Sequence, residues 1–285
     1  MSNLFANIAY GINGCYRRIS RQKKCPCCAG TGFDIVDAKF PYQLLRCCSC
    51  AILTRFPTES PAAMSAFYET EYSQQGLTTD LPTDAELAVL LESNFAGSEK
   101  DARSVIELFS KLHLPASARI CDYGSNWGYM TLQFLRAGYD AVGYEISRNR
   151  ASFAQKLNVK IETELNFPPG SFDAVFSSHV LEHVPDPLNV LRSQLALVRP
   201  GGFVIGFTPN GSEERRKTQF ESFHRHWGKV HPVLLTDEFI RRNFDRQPFL
   251  VTCNRASEAL AKWDRTSQVG TSVEGGELVF ILRKQ

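Results

Sequence analysis

No stretch of this 285-residue chain is apolar over the ~18 residues that a membrane-spanning helix needs. The segment Met1 to Tyr10 has neither a basic start nor a continuous apolar run, so no secretory signal peptide is expected. Charge of one sign is also in short supply. Thirty-two Lys and Arg against thirty Asp and Glu leave a formal net charge of +2. That balance gives no global electrostatic footprint for nucleic acid. Internal repeats and low-complexity tracts are absent, and so is the G-x-G-x-x-G turn that cradles a pyrophosphate. These absences point to a cytoplasmic protein with no membrane segment. In a reducing compartment its nine cysteines argue for metal rather than disulfides. The length suits one large or two small domains, and 43% hydrophobic residues are enough for a buried core.

Four of the cysteines are spaced as two pairs. Cys25-x-x-Cys28 and Cys47-x-x-Cys50 enclose 18 residues. This spacing matches a structural four-thiolate zinc site, two tight knuckles joined by a small hairpin, with no open coordination position. A segment this short cannot build its own core, so a metal staple has a physical purpose. Cys27 and Cys48 lie inside the knuckles and read as bystanders, while Cys121 sits in an apolar strand and reads as core. Upstream, Leu4, Phe5, Ile8 and Ile12 fit a short helix face followed by Arg17, Arg18, Arg21, Lys23 and Lys24. Packing on the chain or a partner, a membrane-surface contact and an RNA contact all remain open for it.

The densest signal comes later. Residues 120–128 read Ile-Cys-Asp-Tyr-Gly-Ser-Asn-Trp-Gly: an apolar strand that stops at Asp122, then a turn flanked by Gly124 and Gly128. About twenty residues on, a second apolar run ends at Glu145. Strand, glycine turn, helix and strand-end carboxylate make a nucleoside half-site, in which the carboxylate accepts from ribose hydroxyls. A nucleoside carrying an amino acid fits this turn better than a pyrophosphate. From Ala118 the pattern alternates strand and helix, with strands expected near 118–122, 140–145, 158–161, 173–178, 202–208, 248–253 and 277–283. Such alternation implies an α/β fold, a mostly parallel sheet with helices on both faces. Before it, helices are expected from Pro61 to Tyr72, with Phe67, Tyr68 and Tyr72 available to line a site, and from Asp84 onward, interrupted at Gly97 and ended by Pro115. The chain therefore divides into a tail (1–24), a zinc-binding module (25–55), a helical linker or cap (56–117) and a donor-binding domain (118–285).

Asp122-x-Gly124-x-Asn126-x-Gly128, Glu145, the run from Phe172 through Ser178, His179, Glu182 and His183 to Pro187, and Arg199-Pro-Gly-Gly202 occur in order. Together they resemble class I S-adenosylmethionine-dependent methyltransferases over roughly residues 100–284. The resemblance implies a Rossmann-like, seven-stranded, mostly parallel sheet and S-adenosylmethionine as cofactor. Asn126 stands where the family usually has glycine, and asparagine tolerates the left-handed turn better than other side chains. The resemblance assigns donor contacts to Asp122, Gly124, Asn126, Gly128 and Glu145, with Glu162 and Thr163 near the adenine and His179 lining the methyl.

Methyl transfer is an in-line displacement from a sulfonium, so positioning and acceptor deprotonation are the enzyme's tasks. Histidine is the side chain poised for the proton near neutral pH. His224, His226 and His231 cluster after the fifth strand, where acceptor-binding insertions lie. Zinc-ribbon sugar methyltransferases resemble the chain here, with a histidine placed before a Leu-Thr-x-x-Phe helix, as His231 precedes Leu235, Thr236 and Phe239. His231 is therefore the leading candidate base, with His179 and His226 beside it, and His183 is read as structural. The expected reaction is O- or C-methylation of a small molecule such as a sugar, natural-product or glycan precursor. An RNA-base methyltransferase that holds RNA through the zinc module is an alternative, though nucleic acid is not the expected partner. A non-catalytic binding or scaffold protein is a third reading. The acceptor and the oligomeric state are not legible.

Overall fold

The computed structural model describes residues 14–15, 22–58, 78–253 and 256–285. Most of the 1–24 tail and the whole of the 61–72 helix, with Phe67, Tyr68 and Tyr72, lie outside the described residues.

The chain opens with an antiparallel ribbon, β1 (Phe33–Lys39), β2 (Tyr42–Cys47) and β3 (Leu53–Phe56). Two helices follow, α1 (Asp84–Glu92) and α2 (Arg103–Lys111). Thr83 and Glu86 close a capping box at the start of α1, satisfying two helix-end donors reciprocally. Asn94, Phe95 and Gly97 then take positive φ, which ends the helix before α2 restarts it. The alternating part comprises β4 (Arg119–Tyr123), α3 (Tyr129–Arg136), β5 (Asp140–Tyr144), α4 (Arg148–Gln155), β6 (Ile161–Glu162), β7 (Phe172–Ser178), α5 (Pro187–Leu197) and β8 (Val198–Pro209). An insertion carries α6 (Glu213–Thr218), α7 (Phe220–His226), β9 (Val233–Leu234) and α8 (Asp237–Asn243). The chain closes with β10 (Phe249–Cys253), α9 (Ala256–Lys262), β11 (Gln268–Gly270) and β12 (Glu277–Arg283).

The large sheet runs β11-β10-β12-β8-β7-β4-β5-β6, with β12 antiparallel to both neighbours and the other pairs parallel. It has eight strands rather than seven. The additional strand, β11, is a three-residue edge of Gln-Val-Gly with no apolar run to announce it. Along the central strands the side chains alternate between two cores. Ile120, Ala174, Phe176 and Ile205 face α2, where the Phe109 ring lies 5.0 Å from Phe134 and 5.5 Å from Tyr139. Cys121, Val175 and Val204 face the other side, with Leu188 and Leu191 of α5 and Phe239 and Ile240 of α8. Cys121 is fully buried, as expected of a core thiol.

The ribbon joins that second core. Cys25, Cys47, Cys50 and Ile52 belong to the same buried cluster as α5 and α8. On its far side β3 pairs with β9, Leu53 opposite Leu234 and Thr54 opposite Val233. The Arg55 N–H donates to the Pro232 carbonyl at 2.7 Å. The β1 end grips the insertion too: Asp37 accepts from Trp227 Nε1 and lies on His224 Nδ1, both at 2.7 Å. Among the described residues no helix is long and apolar enough to cross a membrane.

Candidate donor loop, acceptor cluster and cysteine site

The candidate donor half-site lies at the carboxyl ends of β4 and β5, where ligands of open α/β sheets lie. Gly124, Asn126 and Gly128 adopt φ of 79°, 55° and 84°, so the asparagine takes the left-handed conformation that the turn needs. Gly128 is required for a second reason: a Cβ there would stand 2.9 Å from Ala154 Cβ. Glu145, buried at 6% exposure, pins this loop. Its Oε2 accepts from the Asn126 N–H at 3.0 Å and its Oε1 from the Ser147 N–H at 2.8 Å. Each carboxylate oxygen has two lone-pair directions, so one on each is left for ribose hydroxyls. Asp122 accepts from Thr131 Oγ1 at 2.6 Å, and burial raises its carboxyl to about 6. Ser125 Oγ and Asn126 Oδ1 are buried without a hydrogen-bond partner, although Asn126 Nδ2 donates to the Thr78 carbonyl at 2.7 Å. Orphaned buried acceptors and donors on this loop fit a polar ligand. Glu162 lies on β6 with its carboxylate 2.9 Å from Lys160 Nζ, and Thr163 follows it.

The acceptor candidates gather at the ends of β7 and β8. His179 follows β7 in a left-handed conformation, φ 52°. Its Nδ1 lies 3.1 Å from Glu182 Oε1 and its Nε2 2.9 Å from Glu277 Oε1. Burial opposes charge on the ring, but the two carboxylates prevail and raise it to about 10. His179 is thus a cation at neutral pH and a poor base. Glu182, with no exposed surface, is the hub of this loop. Thr208 Oγ1 donates to it at 3.1 Å, and despite burial the His179 hydrogen bond holds its carboxyl down to about 2.

His231 and His183 stand beside that carboxylate. Their rings are 5.0 Å apart, and Glu182, His183 and His231 each place a ligand atom within 4.8 Å of the other two. The His231 Nδ1–H donates to the His226 carbonyl at 2.9 Å and the His183 Nδ1–H to the Val230 carbonyl at 2.9 Å. Burial lowers the pKa of both rings. His226 is placed differently. Its Nδ1 meets the Ser222 carbonyl at 2.7 Å and buried Arg215 Nη2 at 3.0 Å, so it reaches the cluster through its own carbonyl. His224 belongs to the ribbon contact. His183, read from the sequence as structural, stands with Glu182 and His231, and Glu277 reaches His179 from β12. Glu277 opens an antiparallel strand opposite Pro209, which brings it to the carboxyl edge from 98 residues away.

The donor and acceptor loops touch. The space a side chain would take at Gly124 is filled by Val180, next to His179.

In the ribbon, the four sulfurs of Cys25, Cys28, Cys47 and Cys50 lie within 4.8 Å of one another, with Cys25–Cys50 and Cys28–Cys47 each at 3.5 Å. A tetrahedral zinc with bonds of 2.3 Å sets sulfurs about 3.8 Å apart, so the donor set fits. The two knuckles repeat one geometry. Ala29 and Ala51 follow the second cysteine of each pair at φ 60° and 63°, and their N–H groups donate to Cys25 and Cys47 carbonyls at 3.0 and 2.9 Å. Left-handed alanine costs on the order of 1–2 kcal/mol, a strain that only a fixed surrounding maintains.

A family profile described as "Methyltransferase domain" matches residues 97–249. The chain belongs to that methyltransferase family. The ubiquinone biosynthesis O-methyltransferase of Ralstonia nicotianae is 33% identical over 101 residues, 32% of this chain and 42% of the relative. That of Albidiferax ferrireducens is 30% identical over 119 residues, 38% of this chain and 47% of the relative. This methyltransferase-family chain thus spans less than half the length of those curated relatives. Among solved structures, geranyl diphosphate C-methyltransferase from Streptomyces coelicolor A3(2) covers 80% of this chain and 98% of its own at 14% identity, with a TM-score of 0.49.

Proposed function

We propose that this chain is an S-adenosylmethionine-dependent methyltransferase that methylates a hydroxyl of a small molecule. The contact of Gly124 with Val180 carries the proposal, because it sets the nucleoside half-site directly against the histidine–carboxylate cluster. In this reading Glu145 holds the donor's ribose, Asp122 favours its cationic end, and the turn from Gly124 to Gly128 lets the backbone approach. Thr163 is the nearer candidate for the adenine, since Glu162 is already ion-paired with Lys160. The acceptor hydroxyl lies at Glu182, His183 and His231, and it is activated through His231, a neutral ring anchored by its Nδ1–H. The names of the curated relatives support oxygen as the methylated atom.

Cys25, Cys28, Cys47 and Cys50 would hold one zinc, which supplies a cross-link between the knuckles and no chemistry. The ribbon's cysteine side is packed on α5 and α8, which leaves the RNA reading without support from this face.

A general base contributes on the order of 10²–10⁴ in rate. His231→Ala should therefore keep the donor dissociation constant within about threefold and lower turnover at least about a hundredfold. Calorimetric donor binding beside methyl-transfer turnover tests this. Normal turnover of a folded His231→Ala protein removes the acceptor assignment.

A further inference from the structure

We propose that Glu182, His183 and His231 hold a divalent transition-metal ion, separate from the cysteine site, which takes an oxygen of the acceptor as a further ligand. The inference rests on placing the acceptor at this cluster and says how it is activated there.

The three groups converge from two elements. Glu182 and His183 lie on the loop after β7, and His231 comes from the insertion just before β9. Their ligand atoms are within 4.8 Å of one another. The Nε2 of His183 stands 4.0 Å from Glu182 Oε1. Ligands bound to one ion at 2.0–2.2 Å stand about 3–3.5 Å apart, so side-chain rotations of less than roughly 1 Å close the shell.

The outer contacts are those of a ligand set. Each ring is tied by its Nδ1–H to a backbone carbonyl, Val230 for His183 and His226 for His231. That bond fixes the tautomer and puts the lone pair on Nε2, the usual support of a ligating histidine. The carboxylate is supported as well, by His179 on one oxygen and Thr208 on the other.

Two imidazoles and one carboxylate select iron, cobalt, nickel or zinc over magnesium or calcium, and three protein ligands leave positions open. An ion there lowers the pKa of a coordinated hydroxyl. With the ion bound, His231 is its ligand in place of the proton acceptor of the metal-free reading, and the hydroxyl proton passes to solvent. The acceptor oxygen bonds the methyl carbon as the carbon–sulfur bond breaks, both electrons staying on sulfur.

The test uses the full chain and cobalt(II). Metal content and visible absorption should show two equivalents: one with intense thiolate-to-cobalt charge transfer, one with weak bands only. Cys28→Ser should remove the first. His231→Ala should weaken the second at least about a hundredfold, since losing a ligand costs no less than losing its outer support. It should leave the first equivalent and the calorimetric donor affinity in place. His183→Gln, a milder change at a more buried position, should also remove the second. A single equivalent in the wild-type chain, lost with Cys28→Ser, overturns the site. A second equivalent that survives both histidine changes overturns it too. If the second cobalt binds as expected while no donor binding is measurable, the metal site stands and the methyltransferase reading falls.

Discussion

Removing the Glu145 carboxylate should report on donor binding and loop architecture at once, because the structure gives it the second task and the proposed function the first. It closes the glycine turn through the Asn126 and Ser147 N–H groups at 3.0 and 2.8 Å. In the proposed complex it also accepts two ribose hydroxyls. Each charge-assisted bond is worth roughly 1.5–3 kcal/mol, so Glu145→Ala removes at least about 3 kcal/mol of gross donor interaction. Water entering the vacated space restores part of it, which brings the expected rise in the dissociation constant to between about tenfold and a hundredfold. The two orphaned N–H groups cost a further ~1–3 kcal/mol of stability. At roughly 2–4 °C per kcal/mol, the melting temperature of the donor-free protein should fall by about 2–12 °C. Glu145→Gln makes the argument sharper. Its amide can accept from only one of the two N–H groups and presents a donor to the other, so it should behave much like Ala despite its shape. Calorimetry with S-adenosylmethionine and thermal melts read both numbers. A folded Glu145→Ala protein whose donor affinity stays within twofold would sink the ribose assignment.

Cys28→Ser should strip the thiolate-bound metal and lower the melting temperature, whereas Cys27→Ser and Cys48→Ser should retain it; elemental analysis of the three purified variants decides the register. Asp122 should tie donor affinity to pH. Its carboxyl is raised from 3.8 to about 6 by burial, and a cationic donor prefers it ionised, so affinity should weaken up to about tenfold per unit below pH 6 and Asp122→Asn should flatten that slope. His179 is raised from 6.5 to about 10, so its contribution to stability is complete below about 6.5 and is lost as pH rises through about 10. Melting curves of wild type and His179→Gln should accordingly converge on the alkaline side, and parallel curves from pH 7 to 11 would refute the ion pairing.

The fold was largely legible because its signals are local. Asp186 followed by Pro187 announces α5, and the structure shows the Asp186 carboxylate accepting from the Asn189 N–H at 3.1 Å. The seven strands expected from apolar alternation are all present. β11 escaped because its three residues carry a single apolar side chain, Val269, too few to show a period. The donor loop was legible for the same reason as the strands: glycine spacing and a strand-end carboxylate are short-range features. The acceptor cluster was not. Glu277 is brought to His179 by the antiparallel pairing of β12 with β8, which no periodicity encodes. Glu182 looked like a loop brace because its partners, Thr208 and His231, are 26 and 49 positions away. The sequence did contain one usable hint, the adjacent Glu182–His183 pair in the loop after an apolar strand.

The four-cysteine ribbon lies far along the chain from the insertion that it contacts. His231 is followed at once by Pro232, whose carbonyl accepts from the Arg55 N–H, and by Val233 and Leu234, which pair with Thr54 and Leu53. Two residues farther, Thr236 Oγ1 donates to the carbonyl of Ala51, the left-handed residue that closes the second knuckle. The insertion packs Phe223, Trp227 and Leu234 on Tyr42, Leu44 and Leu53 of the ribbon, so its backbone at His231 is set by the ribbon edge. A displacement of about 1 Å at a reacting group can cost on the order of 10² in rate. The ribbon strand β3 is thus the part of the fold that fixes His231, while the proposed donor loop hangs from β4 and β5. Loosening the knuckles should be felt in turnover through His231 before it is felt in donor affinity through Glu145. That order follows from strand connectivity alone and holds whether His231 takes a proton or holds a cation.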